Sequence, residues 1–170
     1  MRVQTPTEER LNTLTHAFGA LLGIAGLVLM ILKDTHKTSW SLFSIIVYGC
    51  AIMVLFTASA LYHAVKDQNS KHYYRIVDHI SIYLLIAGTY TPVCLIALKD
   101  SLGWELFLAV WGIAAFGLVL KLFFTGKFET FSTLLYLVMG WLIVFDYSNL
   151  SQMLPQQGLW LLFGGGFFYT

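Results

Sequence analysis

Charged residues are scarce in this chain, at 11% of 170 residues against 58% hydrophobic, where an ordinary soluble domain carries roughly 25% charged residues. Water is therefore not its main solvent. Nor does charge of one sign dominate: the net charge is +1, which provides no basic field for nucleic acid. Cysteine is almost absent. Cys50 and Cys94 both lie within apolar segments and are expected to be small buried hydrophobes rather than a disulfide or a metal pair. A cleavage site is also missing. Glu8 and Glu9 stand beside Arg2 and Arg10, and no small-x-small pattern follows the first apolar run, so no removable signal peptide is expected. Internal repeats and low-complexity tracts are lacking, and the loops are too short for a soluble domain.

What is present is a series of apolar segments of about 17–25 residues, the length with which a helix crosses a hydrocarbon core of ~30 Å. Hydropathy places spans at 16–32, 40–62, 76–98, 104–124 and 131–145, and a sixth begins near Gly158. The expected fold is an all-α, polytopic transmembrane helical bundle forming one membrane domain. The last segment stops at Thr170 inside its apolar run, so the chain is expected to be incomplete at its C-terminus. Lysine and arginine accumulate in cytoplasmic loops. Arg2, Arg10, Lys66, Lys71, Arg75, Lys121 and Lys127 fall on one side, and only Lys33, Lys37 and Lys99 on the other. A multi-pass protein of the cell membrane with a cytoplasmic N-terminus follows. Gly19-x-x-x-Gly23 permits close helix approach, and Pro92 is placed to bend the third span.

Ionisable groups near hydrocarbon cost several kcal/mol unless paired, hydrated or metal-bound, so each is a functional candidate. His16 begins span one, His63 ends span two and Asp78 begins span three, so all three meet at one face of the membrane. Ser59 lies four residues before His63, on the same helical face and one turn deeper. Glu9, Asn12 and His16 share nearly one face, because spacings of three, four and seven residues return to similar angles. His79 points about 100° away from Asp78 and is read as packing or interface. His36 and His72 are read as solvated loop residues. Asp146 falls on the opposite side and is read as an interfacial cap outside the site.

Three patterns occur in order: Glu9-x-x-Asn12-x-x-x-His16, Ser59-x-x-x-His63, and Asp78-His79 followed by Ala87-Gly88-Thr89-Tyr90-Thr91-Pro92. Together they resemble the haemolysin III branch of the progestin and adipoQ receptor family, and the segments 136–141 and 164–170 look similar to it as well. The resemblance implies a seven-helix bundle, of which about five and a half spans are present, with a cytoplasmic N-terminus. It also implies zinc near the inner face, held directly by the residue matching His63 and by two histidines of a seventh span expected beyond the chain end. Asp78 matches an aspartate that reaches the metal through water, and Ser59 a serine lining the cavity.

Two further histidines are thus needed to complete the ligands, and the chain as written is expected to bind zinc poorly and to be inactive. In a complete relative the implied activity is ceramidase-like hydrolysis of a lipid amide bond, with Asp78 and Ser59 as catalytic residues and membrane lipids as partners. The alternative is a non-enzymatic membrane-homeostasis or receptor-like protein with structural zinc. A pore-forming cytolysin needs a continuous polar stripe, and here polar groups gather near one end of the spans.

Overall fold

A computed structural model describes residues 4–168; Arg2 of the basic N-terminus and the last two residues of the segment 164–170 lie outside these. Among the described residues seven α-helices follow one another: α1 (Pro6–Leu32), α2 (Ser41–Ala64), α3 (Gln68–Pro92), α4 (Gly103–Phe124), α5 (Glu129–Trp141), α6 (Tyr147–Met153) and α7 (Gln156–Phe168). Among the described residues there is no strand. Five helical stretches are long and apolar enough to cross a membrane, and the fifth runs through α5 and α6 as Glu129–Met153. The chain is an all-α polytopic bundle.

Helix α1 starts ten residues before the apolar run that marks its span, because local chemistry starts it there. Thr5 accepts from the Glu8 amide at 3.3 Å, the Glu8 carboxylate accepts from the Thr5 amide at 2.7 Å, and Pro6 occupies the first helical position. This reciprocal cap satisfies amide groups that the first turn leaves free. Helix α3 is capped by Asp67, whose side chain accepts from the Ser70 amide at 2.9 Å. That hydrogen bond holds the Asp67 carboxyl below the usual carboxylate range. Its support for the helix is complete above the unfolded-state pKa and is lost as pH falls through the lower folded value.

Helix α3 is the most buried of the five stretches and α1 the least. Small residues let the backbones approach. A Cβ at Gly19 would stand 2.7 Å from the Phe56 ring, one at Gly23 2.9 Å from Ile52, and one at Gly88 2.6 Å from the Ala51 Cβ. Gly117 is covered by the Tyr83 ring. The core of Tyr83, Cys94, Leu98, Val110, Met139 and Leu150 lies between α3, α4 and the chain beyond Glu129. Cys94 is buried as expected, but Cys50 is exposed on α2.

Two helices change form where polar groups intervene. After Pro92, α3 widens into a π-helical turn, Val93–Ala97, with the Leu98 amide donating to the Val93 carbonyl at 3.0 Å. Proline supplies no amide for the regular ladder. Further on, the Leu95 carbonyl accepts from the Thr38 hydroxyl at 3.2 Å. Helix α5 tightens to 3₁₀ at Leu142–Asp146, where the Tyr90 hydroxyl donates to the Gly140 carbonyl and accepts from the Ile143 amide, both at 2.9 Å. The expected fifth span at 131–145 is therefore two helical forms in one stretch.

Replacing Gly88 with valine should lower the thermal unfolding midpoint in detergent, with a cost of about 1–3 kcal/mol, because its nearest obstacles are Ala51 and the Val47 backbone. Tryptophan fluorescence on heating measures this, and an unchanged midpoint would mean that α2 and α3 do not pack through this contact.

Candidate functional site

The beginnings of α1 and α3 and the end of α2 come together through one carboxylate. Glu9 Oε2 lies 2.7 Å from His63 Nδ1, and Lys71 Nζ lies 2.5 Å from Glu9 Oε1. The His63 side chain is 10% exposed and that of Lys71 22%, so the ion pair and hydrogen bond are shielded from bulk water. Tyr62 flanks the group: its ring centroid is 4.9 Å from that of His63, and Lys71 Nζ sits 5.2 Å from its centroid. Lys71 appears in sequence as a loop cation, yet it lies in the first turn of α3 and reaches across to α1.

His16 stands one layer further in. Its ring centroid is 5.8 Å from those of His63 and Phe56, and its Nδ1 is buried without a hydrogen-bond partner. Ser59 is buried, one turn from His63 on α2. Asp78 is half-buried on α3, one residue before His79. Asn12 shares α1 with Glu9 and His16 but donates to Gln4 Oε1 at 3.2 Å, away from His63. Of the residues singled out by sequence, the structure thus joins Glu9 and His63 directly, stacks His16 against them, and leaves Asn12 turned to the chain start.

A second polar cluster was not foreseen. Lys121, placed by sequence among loop cations, is 1% exposed on α4, and its Nζ lies 2.7 Å from Glu129 Oε2 at the start of α5. Arg75 Nη2 is 3.3 Å from Glu129 Oε1, which also accepts from the Gly126 amide at 3.1 Å. His79 Nδ1 is 3.8 Å from the same carboxylate, and the Tyr136 hydroxyl donates to the His79 carbonyl at 3.1 Å. The signal available in sequence was the position of Lys121 inside the run Val119 to Phe124, apolar on both sides.

The remaining histidines lie outside both clusters. His36 is an exposed loop residue, 3.0 Å from the Asp34 carboxylate. His72 is exposed as well, but on α3 rather than in a loop, because Asp67 starts that helix before it.

At the far end of the bundle, Asp146 is 4% exposed and accepts from Ser101 Oγ at 2.5 Å, the Leu102 amide at 3.1 Å and Asn149 Nδ2 at 2.7 Å. It caps the start of α4 from another part of the chain. Among the described residues no group of three or more His, Cys, Asp or Glu side chains could hold a metal ion. The first cluster therefore offers hydrogen bonding, one oriented imidazole and a neighbouring carboxylate.

Comparison with known proteins gives a consistent relationship. A family model described as "Haemolysin-III related" matches residues 4–170. A Bacillus subtilis (strain 168) protein named "Hemolysin-3 homolog" is 41% identical over 167 residues, covering 98% of this chain and 78% of the relative. "Hemolysin-3" of Bacillus cereus is 40% identical over 164 residues, covering 96% and 75% respectively. The human "Monocyte to macrophage differentiation factor" is 27% identical over 173 residues, covering 95% and 68%. No solved structure matches.

The geometry predicts a labelling pattern. With Cys50 and Cys94 replaced by alanine, single cysteines at Ala64, Asp67 and Gln4 should react with a membrane-impermeant maleimide from the same side, and one at Lys99 from the other. Reaction of positions 4 and 67 from opposite sides would separate the ends of α1 and α3 and dissolve the cluster.

Proposed function

Because the chain belongs to the haemolysin III branch of the progestin and adipoQ receptor family, we propose that this multi-pass membrane protein hydrolyses amide bonds of membrane lipids at the cluster around His63. The N-terminal end of the bundle faces the cytoplasm in this reading, which the excess of lysine and arginine at that end supports.

The observation that carries the proposal is the hydrogen bond between Glu9 and His63 Nδ1, 2.7 Å long. A carboxylate on one ring nitrogen fixes the tautomer and leaves Nε2 with a free lone pair, the arrangement typical of metal-ligating histidine. Lys71 holds the other carboxylate oxygen at 2.5 Å, so the imidazole is oriented from two helices. His63 fits one position of a zinc site; the described residues do not complete the set, and a hydrolytic zinc site needs about three protein ligands. When bound, zinc supplies Lewis acidity that polarises a carbonyl and acidifies water.

The chain's own residues then divide the remaining work. Asp78 accepts the proton of the attacking water, and the Ser59 hydroxyl donates to the oxyanion as it develops. Glu9 and Lys71 are positioning residues, acting only through His63.

A non-enzymatic reading keeps the same residues as a brace between helices, and the cross-helix bonds of Glu9 would serve it equally. Three variants separate the readings. In the purified full-length protein, including the seventh span that the family resemblance implies, His63→Ala should abolish zinc retention by elemental analysis, and Glu9→Gln should weaken it about ten- to a hundredfold. Asp78→Asn should cost about 10²- to 10⁴-fold in ceramide turnover while the bundle stays folded. Equal zinc in wild type and His63→Ala would remove the metal assignment, and absence of any acyl-amide turnover in wild type would favour the brace.

A further inference from the structure

The second cluster carries an excess of positive charge that the fold does not neutralise. Arg75 and Lys121 share the single carboxylate of Glu129, and that carboxylate is already occupied: Lys121 lies at 2.7 Å and the Gly126 amide at 3.1 Å, with Arg75 at a longer 3.3 Å. Asp78 makes no ion pair with either cation among the described residues. Arg75 Nε is buried without a hydrogen-bond partner, while its side chain as a whole keeps 23% exposure. Lys127, next to Gly126 in the turn between α4 and α5, adds another cation and is exposed. Two cations sharing one carboxylate leave a positive excess beside hydrocarbon, which is costly, and a pure helix brace would need only one of the two.

The cluster also lies at a defined depth. Lys121 is in the last turn of α4 and Glu129 opens α5, so the group sits where spans end and lipid headgroups begin. Exposed apolar side chains neighbour its members along the chain: Phe123 in the last turn of α4, Phe128 just before Glu129, and Val77 on α3. We propose that the ends of α3, α4 and α5 form a binding site for the phosphate of an anionic membrane lipid, centred on Arg75 and built on the pairing of buried Lys121 with the partly exposed Glu129.

The guanidinium fork matches phosphate oxygens in a way an ammonium does not. Glu129, itself held by Lys121 and the Gly126 amide, fixes Arg75, and the exposed aromatic and aliphatic side chains give the acyl chains a surface. Basic pockets between helix ends are a recognised way of holding lipid headgroups. This site uses none of the residues around His63, so it stands or falls independently of the hydrolase reading.

The test is native mass spectrometry of the whole chain in detergent after incubation with equimolar phosphatidylglycerol and phosphatidylcholine. Wild type should retain phosphatidylglycerol preferentially. Arg75→Gln should lower that retention about tenfold, as expected for loss of a charge-assisted contact, and Lys127→Gln by about two- to threefold, with phosphatidylcholine unaffected in both. The Lys127 variant lies on an exposed turn and decides the matter should Arg75→Gln fail to fold. Undiminished phosphatidylglycerol retention in Lys127→Gln, or in a folded Arg75→Gln, overturns the proposal. So does equal retention of the two lipids by wild type, and full competition by inorganic phosphate overturns the lipid assignment.

Discussion

Charge beside hydrocarbon must be matched by charge or hydrogen bonds, and this constraint accounts for the places of three carboxylates at the ends of the bundle. Glu9 is the clearest case. Its two oxygens bind side chains from α2 and α3, so three helix ends are joined by one group. Glu129 does the same for α3, α4 and the turn before α5, and Asp146 for the opposite end, where it caps α4. The spans are thus apolar along their lengths and stapled at their ends by carboxylates.

Helix α3 is the common member of the two clusters at the N-terminal end. Its residues reach two different carboxylates: Lys71 pairs with Glu9, and Arg75 and His79 face Glu129. The two sites share a wall without sharing ligands. Deeper in the bundle the same helix is held by tyrosine: Tyr83 lies against Gly117 and the Tyr136 ring, at a centroid distance of 4.4 Å for the latter, and Tyr90 bonds the backbone of the fifth span.

The helical spans were legible because hydropathy over about 20 residues is a strong signal. Their edges were less so. The start of α1 depends on the Thr5–Glu8 cap, a local feature that hydropathy does not weigh. The gathering of His16, His63 and Asp78 at one end followed from counting alternations of direction across the membrane. The pairing of Glu9 with Lys71 did not, because it is a contact between residues 62 apart in the chain, and spacing carries no information at that range. Lys121 was misplaced for a related reason: a charge at a span end looks solvated until the carboxylate that buries it is known. Cys50 was expected inside because it lies in an apolar segment, but in a bilayer an apolar segment has an outside that is equally apolar.

The widened turn after Pro92 has a mechanical meaning. A π-helical turn holds one residue more than a regular turn, and so advances the angular phase of all that follows it by roughly 100°. The stretch ending at Leu98 therefore presents its side chains in directions that a regular continuation of the half carrying Arg75, Asp78 and His79 would not give, and this is the alignment in which the Leu95 carbonyl meets the Thr38 hydroxyl.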